Sequence, residues 1–156
     1  MKKTRRRILV DAGPLCAIAN PREVRHSDCA EAVQTLPLPL ITTWPCFTEA
    51  MYLAGSEKRG GTLTSQKRLH SLLSKVVVAF YELTPEDLQE MMTLIERYRV
   101  PGSNRESMDF ADASLVAAAG SLGIKEVFTF DPGFLHFQSE RVNFFSLIPK
   151  DTPRTR

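Results

Sequence analysis

The sequence holds no paired-cysteine motif, few histidines and no long apolar run, and each absence removes a class of function. Cys16, Cys29 and Cys46 are odd in number, widely spaced and set among apolar neighbours, and no C-x-x-C occurs. His26, His70 and His136 stand far from one another. Neither a disulfide framework nor a His/Cys zinc site suits that spacing, whereas buried free thiols in a reducing cytosol do. Val76 to Phe80 is about the longest apolar run, far short of a membrane span, so no membrane partner is expected. The basic start, Lys2, Lys3, Arg5, Arg6 and Arg7, is followed only by Ile8, Leu9 and Val10 before Asp11 intervenes, too little for a signal-peptide core. A soluble, cytoplasmic protein is therefore expected. The chain also lacks a G-x-G-x-x-G, a Walker loop and any Ser-His-Asp or Cys-His arrangement. Strong net charge is missing as well: the formal value is +2, too mild to demand a polyanionic partner by itself.

What is present is an ordinary globular composition, 43% hydrophobic and 24% charged, in 156 residues, enough for one domain with a real core. Strand and helix signals alternate. Arg7 to Asp11 reads as a strand stopped by Ala12-Gly13-Pro14. Val24 to Leu36 has helical period and ends at Pro37 and Pro39. Leu40 to Thr43 reads as a second strand, and Phe47 to Leu53 as a helix. Gly60-Gly61 breaks the chain before a helix over Thr64 to Leu73, and Val76 to Phe80 reads as a third strand covered on both faces. Thr84-Pro85-Glu86-Asp87 has the N-cap, first-position proline and first-turn acids of a helix start, with the helix running to about Arg99. Met108 to Gly120 is a further helix, Glu126 to Phe130 a fourth strand, and Asn143 to Leu147 a fifth. The whole reads as one domain over residues 1–156, with a core of about 7–148 and short basic tails through about Thr4 and from about Pro149. Such alternation implies an α/β fold, a mostly parallel sheet with helices on both faces, whose ligands sit at the carboxyl ends of the strands.

Carboxylates gather at that edge. Asp11 closes the first strand, Asp131 follows the fourth, and Glu49 lies one turn into the helix after the second. Asp109 and Asp112 share one face of the helix that feeds the fourth strand. Each has a plainer reading: Asp131-Pro132-Gly133 is good turn sequence, Asp109 suits an N-cap, and Glu49 alone suits a surface. Asp112 resists that reading. Its helix is apolar nearly all round, and no Lys or Arg occurs from Glu106 through Ile124 to pair with it. Two carboxylates about 5 Å apart repel by roughly 3 kcal/mol at an effective dielectric near 20, so either their pKa values rise or a divalent ion neutralises them. Oxygen donors without His or Cys suit Mg²⁺ or Mn²⁺.

The run Ile8-Leu9-Val10-Asp11-Ala12-Gly13-Pro14-Leu15 resembles the opening strand and first acid of PIN domains, especially VapC-type toxins. Thr48-Glu49-Ala50 resembles their second acid, Asp112 to Ala119 the Asp-Ala helix with the third, and Thr129-Phe130-Asp131-Pro132-Gly133-Phe134 the closing T-x-D-x-x-F element with the fourth. The order and spacing cover Ile8 to Phe134. The resemblance implies an α/β/α sandwich, Mg²⁺- or Mn²⁺-dependent cleavage of single-stranded RNA, homodimerisation, and a cognate antitoxin protein in a type II pair. Asp11, Glu49, Asp112 and Asp131 are then the metal ligands and catalytic acids, with water as nucleophile. Two departures stand out: Ala12 replaces a hydroxyl residue common after the first acid, and Asp109 is an additional acid that either joins the metal shell, positions Asp112 or caps the helix.

RNA affinity also needs cations. Lys58 and Arg59, with Lys67 and Arg68 beyond them, form a candidate phosphate-gripping segment, or else an ordinary solubilising surface. Trp44 and Tyr52 are expected inside. The alternatives to a ribonuclease are a catalytically silent PIN fold that binds RNA or protein, a receiver-like phosphotransfer protein, and a metal-dependent DNase. Retention of all four self-repelling acids argues against the first. Asp11 lacks an acidic neighbour and Lys125 precedes the fourth strand, which argues against the second. The acids do not read the sugar, so the third is not distinguished by them.

Overall fold

The computed structural model describes residues 5–99, 107–142 and 146–148. The expected basic tails and the start of the fifth strand at Asn143 lie outside those residues.

Five strands, β1 (Leu9–Val10), β2 (Leu40–Thr42), β3 (Val78–Phe80), β4 (Glu126–Phe128) and β5 (Ser146–Ile148), form one sheet in the order β3-β2-β1-β4-β5. Every pairing is parallel, with Leu9 opposite both Ile41 and Val127, and Val127 opposite Leu147. Among the described residues six α-helices accompany them: α1 (Ala12–Ala19), α2 (His26–Thr35), α3 (Trp44–Gly55), α4 (Leu63–Ser74), α5 (Pro85–Arg97) and α6 (Phe110–Leu122).

Alternation along the strands builds the layers. Ile8 and Val10 point to one face and pack with Leu15 of α1, Phe47 of α3 and Leu69 of α4. Leu9 and Val127 point to the other and pack with Met91 and Leu94 of α5 and Leu115 and Val116 of α6. All of these side chains are buried, and Cys16, Cys29 and Cys46 are buried free thiols. The α/β/α expectation is met. Among the described residues no helix is long and apolar enough to cross a membrane.

Three local expectations need correction. Ala12-Gly13-Pro14 does stop the first strand, but it also opens α1, a helix absent from the sequence reading. Asp11 caps that helix by accepting from the Ala12 N–H, and Pro14 falls in the first turn, where a missing N–H breaks no intrahelical bond. The run Val76 to Phe80 gives only three strand residues, because Val76 is 62% exposed with a φ of 57°, turning the chain off α4 before the sheet begins. Trp44 and Tyr52 are not inside: they are 56% and 75% exposed.

Helices α5 and α6 pack against each other and are pinned by a buried acid. Asp87, fully buried, forms a capping box with Thr84: it accepts the Thr84 N–H at 2.9 Å while its own N–H donates to the Thr84 hydroxyl. Its carboxylate also accepts from the Tyr81 hydroxyl at 2.7 Å and the Ser121 hydroxyl at 2.5 Å, and Arg141 stands 3.5 Å away. Arg141 in turn donates to Ser121 and pairs with Glu90. Burial alone pushes the Asp87 carboxyl up, but the bonds from Ser121, the Thr84 backbone and Tyr81 outweigh it and hold its pKa at about 2.

Candidate active site

The chain visits β1, β2 and β3 on one side, then crosses to β4 and β5 on the other. Strand order therefore reverses between β1 and β4, and a crevice opens beyond their carboxyl ends. Asp11 follows β1 and Asp131 lies three residues past β4, so the two acids flank that crevice. The cleft there has a volume of about 710 Å³, and Asp11, Glu49, Asp109, Asp112 and Asp131 all line it. All five sequence-predicted acids thus come together, delivered by β1, α3, the N-terminus of α6 and the segment after β4.

Asp11 is the most tightly held. One oxygen accepts the Ala12 N–H at 2.7 Å and lies 3.9 Å from the Cys46 Sγ; the other accepts the Thr129 hydroxyl at 2.8 Å. Thr129 also accepts the Asp131 N–H at 3.0 Å, so one hydroxyl braces the first acid and the backbone of the last. Asp131 turns one carboxylate oxygen to the Gly133 N–H at 2.8 Å, which fixes the short 3-10 turn after it. These roles of Thr129 were carried silently inside the T-x-D pattern.

Asp112 sits at the third position of α6 and Asp109 is the N-cap. The two form a reciprocal capping box: Asp109 accepts the Asp112 N–H at 2.8 Å, and Asp112 accepts the Asp109 N–H at 3.3 Å. Residues Ala111 to Ala119 are all buried, because a helix of small side chains can pack closely against the sheet, α5 and α3 at once. The helix is anchored from α3: the Thr43 and Ser114 hydroxyls stand 2.5 Å apart, and Cys46 donates to the Ala111 carbonyl.

The electrostatics follow from burial and like charge. Desolvation, then repulsion from Asp109 and Asp11, pushes Asp112 up to about 8. Burial raises Asp11 despite the Thr129 and Ala12 bonds, with Asp109 and Asp131 adding to it. Glu49, half-buried, is raised by desolvation and by Asp109 and Asp11. Among the described residues no three His, Cys, Asp or Glu side chains converge closely enough to form a finished metal cage. The donor set is nonetheless all oxygen, with Asp11, Asp112 and Asp131 held by hydrogen bonds and Asp11, Glu49 and Asp112 raised in pKa, which is the chemistry a hard divalent cation would satisfy.

The predicted cations divide. Arg59 lines the cleft but is paired with Glu23 at 2.9 Å, a partner 36 residues away that sequence spacing did not reveal. Lys58 is exposed and lines a separate hollow with Tyr52. Arg68 lines a third hollow with Arg22, and Lys67 is exposed on α4. None of Lys58, Lys67 and Arg68 lines the acidic cleft. A cation that sequence reading missed is Arg25, whose guanidinium lies 4.1 Å over the ring of Phe130, a cleft residue.

No protein-family model and no curated protein matches the sequence. Among solved structures the chain is similar to VapC20 of Mycobacterium tuberculosis, described as a toxin that cleaves the sarcin–ricin loop. The two share 22% identity over 80% of this chain and 89% of that one, with a TM-score of 0.65. At that distance the likeness speaks to architecture, and the architecture of this chain is the PIN-like α/β/α fold.

Proposed function

We propose that the protein is a metal-dependent endoribonuclease that hydrolyses phosphodiester bonds of single-stranded RNA, as the toxin of a type II toxin–antitoxin pair. The observation that carries this reading is the convergence of Asp11, Glu49, Asp109, Asp112 and Asp131 on one cleft at the strand-order reversal, three of them with raised pKa values. The structural neighbour's action on the sarcin–ricin loop supports RNA as the substrate class. The whole chain acts as one domain, as a homodimer with an antitoxin for partner.

Asp11, Glu49, Asp112 and Asp131 would hold Mg²⁺ or Mn²⁺, directly or through water. A bound cation supplies charge neutralisation, a lowered pKa for the attacking water and stabilisation of the leaving oxygen. The protein's own part is positional. Thr129 and the Ala12 N–H orient Asp11, supplying support that Ala12 itself cannot give by hydroxyl. Asp109 orients Asp112 through the capping box, so its extra carboxylate is a positioning group first. The Gly133 N–H occupies one oxygen of Asp131 and leaves the other for the cleft.

The test is incubation of the purified protein with labelled single-stranded RNA in Mn²⁺ or Mg²⁺, beside EDTA and a folded Asp112→Asn variant. Metal-dependent cleavage that disappears in the variant is expected. Inactivity of well-folded, metal-supplied protein on a broad set of RNAs, with RNA still bound, would sink the catalytic reading in favour of a binding module.

A further inference from the structure

Trp44 is the sequence's single tryptophan, and its place in the fold is unlike that of a core aromatic. One face of the indole lies on Phe80, with ring centroids 3.9 Å apart and planes 15° from parallel. Phe47 meets both rings edge-on, at 6.2 Å from Trp44 and 5.1 Å from Phe80. Two phenylalanines therefore hold the indole in place, while the residue stays 56% exposed. A ring held flat from beneath and open above is a preformed stacking surface.

Its position ties it to the carboxylates. Trp44 begins α3 immediately after β2, and Phe80 ends β3, so the pair sits at the same carboxyl edge of the sheet as Asp11. The next links are short. Thr43 bonds Ser114 of the Asp112 helix, Cys46 reaches Asp11, and Glu49 lines the cleft. Because the Thr43 hydroxyl is spent on Ser114, no side chain caps α3, and its positive end beside Trp44 favours an anion nearby. Along the same helix Trp44, Thr48 and Tyr52 recur every four residues and are all exposed, and Tyr52 shares a hollow of about 440 Å³ with Lys58. The strip thus combines an open ring at one end with a cation at the other, beside an acidic cleft.

We infer that Trp44, seated on Phe80, is the platform on which an unpaired base of the RNA strand stacks next to the cleavage site. The inference rests on the RNA reading above and adds what that reading lacks. The acids and their cation act on one phosphate, whereas a stacked base holds the strand and selects single-stranded RNA, because a paired base offers no free face. Each base has a π-face, so the grip is tolerant of sequence. A second copy of this chain is the rival occupant of such an aromatic surface.

The lone tryptophan is its own reporter. The full chain is titrated in Ca²⁺, with RNA integrity checked on a gel, against three fluorescently labelled decamers: single-stranded RNA, the same strand with its central bases removed, and a duplex. Indole emission and label anisotropy are read together. The expected result is quenching by the single strand, with little from the abasic strand or the duplex. Trp44→Leu, which keeps apolar bulk over Phe80, should bind the single strand about tenfold more weakly, and Trp44→Phe should stay near the parent. RNA binding with unchanged indole emission and an undiminished Trp44→Leu would overturn the platform and leave the RNA reading intact. No binding by anisotropy would overturn both. A change of sedimentation from dimer to monomer in Trp44→Leu would assign the surface to contact between copies and overturn the proposal.

Discussion

Two aspartates occupy the same local position and meet opposite fates. Asp87 and Asp112 each sit third in a helix and each closes a capping box with the residue three before it. Both are buried, at 0% and 9% exposure. Around Asp87 stand Tyr81, Ser121 and Arg141, and its pKa falls to about 2; around Asp112 stand Asp109, Asp11 and Asp131, and its pKa climbs to about 8. A capping box therefore says nothing about the role of its acid. The neighbours brought by tertiary folding decide it: one carboxylate is fully satisfied by the protein, and the other is left for something the protein does not contain.

Substitutions can break this contrast from either side. The largest effect is expected from Asp112→Asn, which should lower RNA cleavage about a thousandfold while leaving the melting temperature of the metal-free protein equal to or above the parent's. Cleavage kinetics and thermal melts on the same preparation check both halves. Asp87→Ala should do the reverse, costing about 3 kcal/mol because it removes a buried carboxylate that closes the α5 capping box and accepts from the Tyr81 and Ser121 hydroxyls, with activity per folded molecule unchanged. Denaturant titration reads the loss; a drop in specific activity of the folded fraction would mean that the α5–α6 joint also shapes the cleft.

The pH dependence sharpens the contrast with a smaller effect. A carboxyl raised in the folded state, like Asp112, contributes stability that is present below its unfolded pKa and is lost as pH climbs towards about 8. Asp87, lowered to about 2, contributes stability that is present above its unfolded pKa and is lost only as pH falls from near 4 towards 2. Melts in EDTA should therefore decline between pH 5 and 8 and recover on adding Mn²⁺ at pH 8, with the decline reduced in Asp112→Asn. The smallest change is expected from Thr129→Val, which keeps shape but removes the brace on Asp11; activity should fall about tenfold and return in Thr129→Ser.

The same two acids show where sequence reading reaches its end. The helix around Asp112 was legible because its apolar run and missing cations are local facts, and the alternation of strands and helices was legible for the same reason. The convergence of the acids followed from placing each at a strand's carboxyl end. What stayed hidden depends on distant partners. Asp87 read only as a first-turn acid, since Ser121 lies 34 residues away, and Arg59 read as a free cation because Glu23 lies 36 away. Trp44 looked like core because aromatic residues usually are; its exposure comes from standing at the sheet edge, where Phe80 covers only one side. Helix α1 was missed because Gly-Pro marks a turn as readily as a first helical turn.

The bond from Thr129 to Asp11 joins residues 118 apart. On a ribosome Asp11 emerges well before Thr129 and waits unbraced until β4 and the Asp131 that follows it have been made. The proposed active site is thus incomplete throughout the synthesis of the residues between its first acid and its last. Any activity that depends on Asp11 held in place therefore waits until the segment carrying Thr129 and Asp131 has left the exit tunnel and β4 has joined β1.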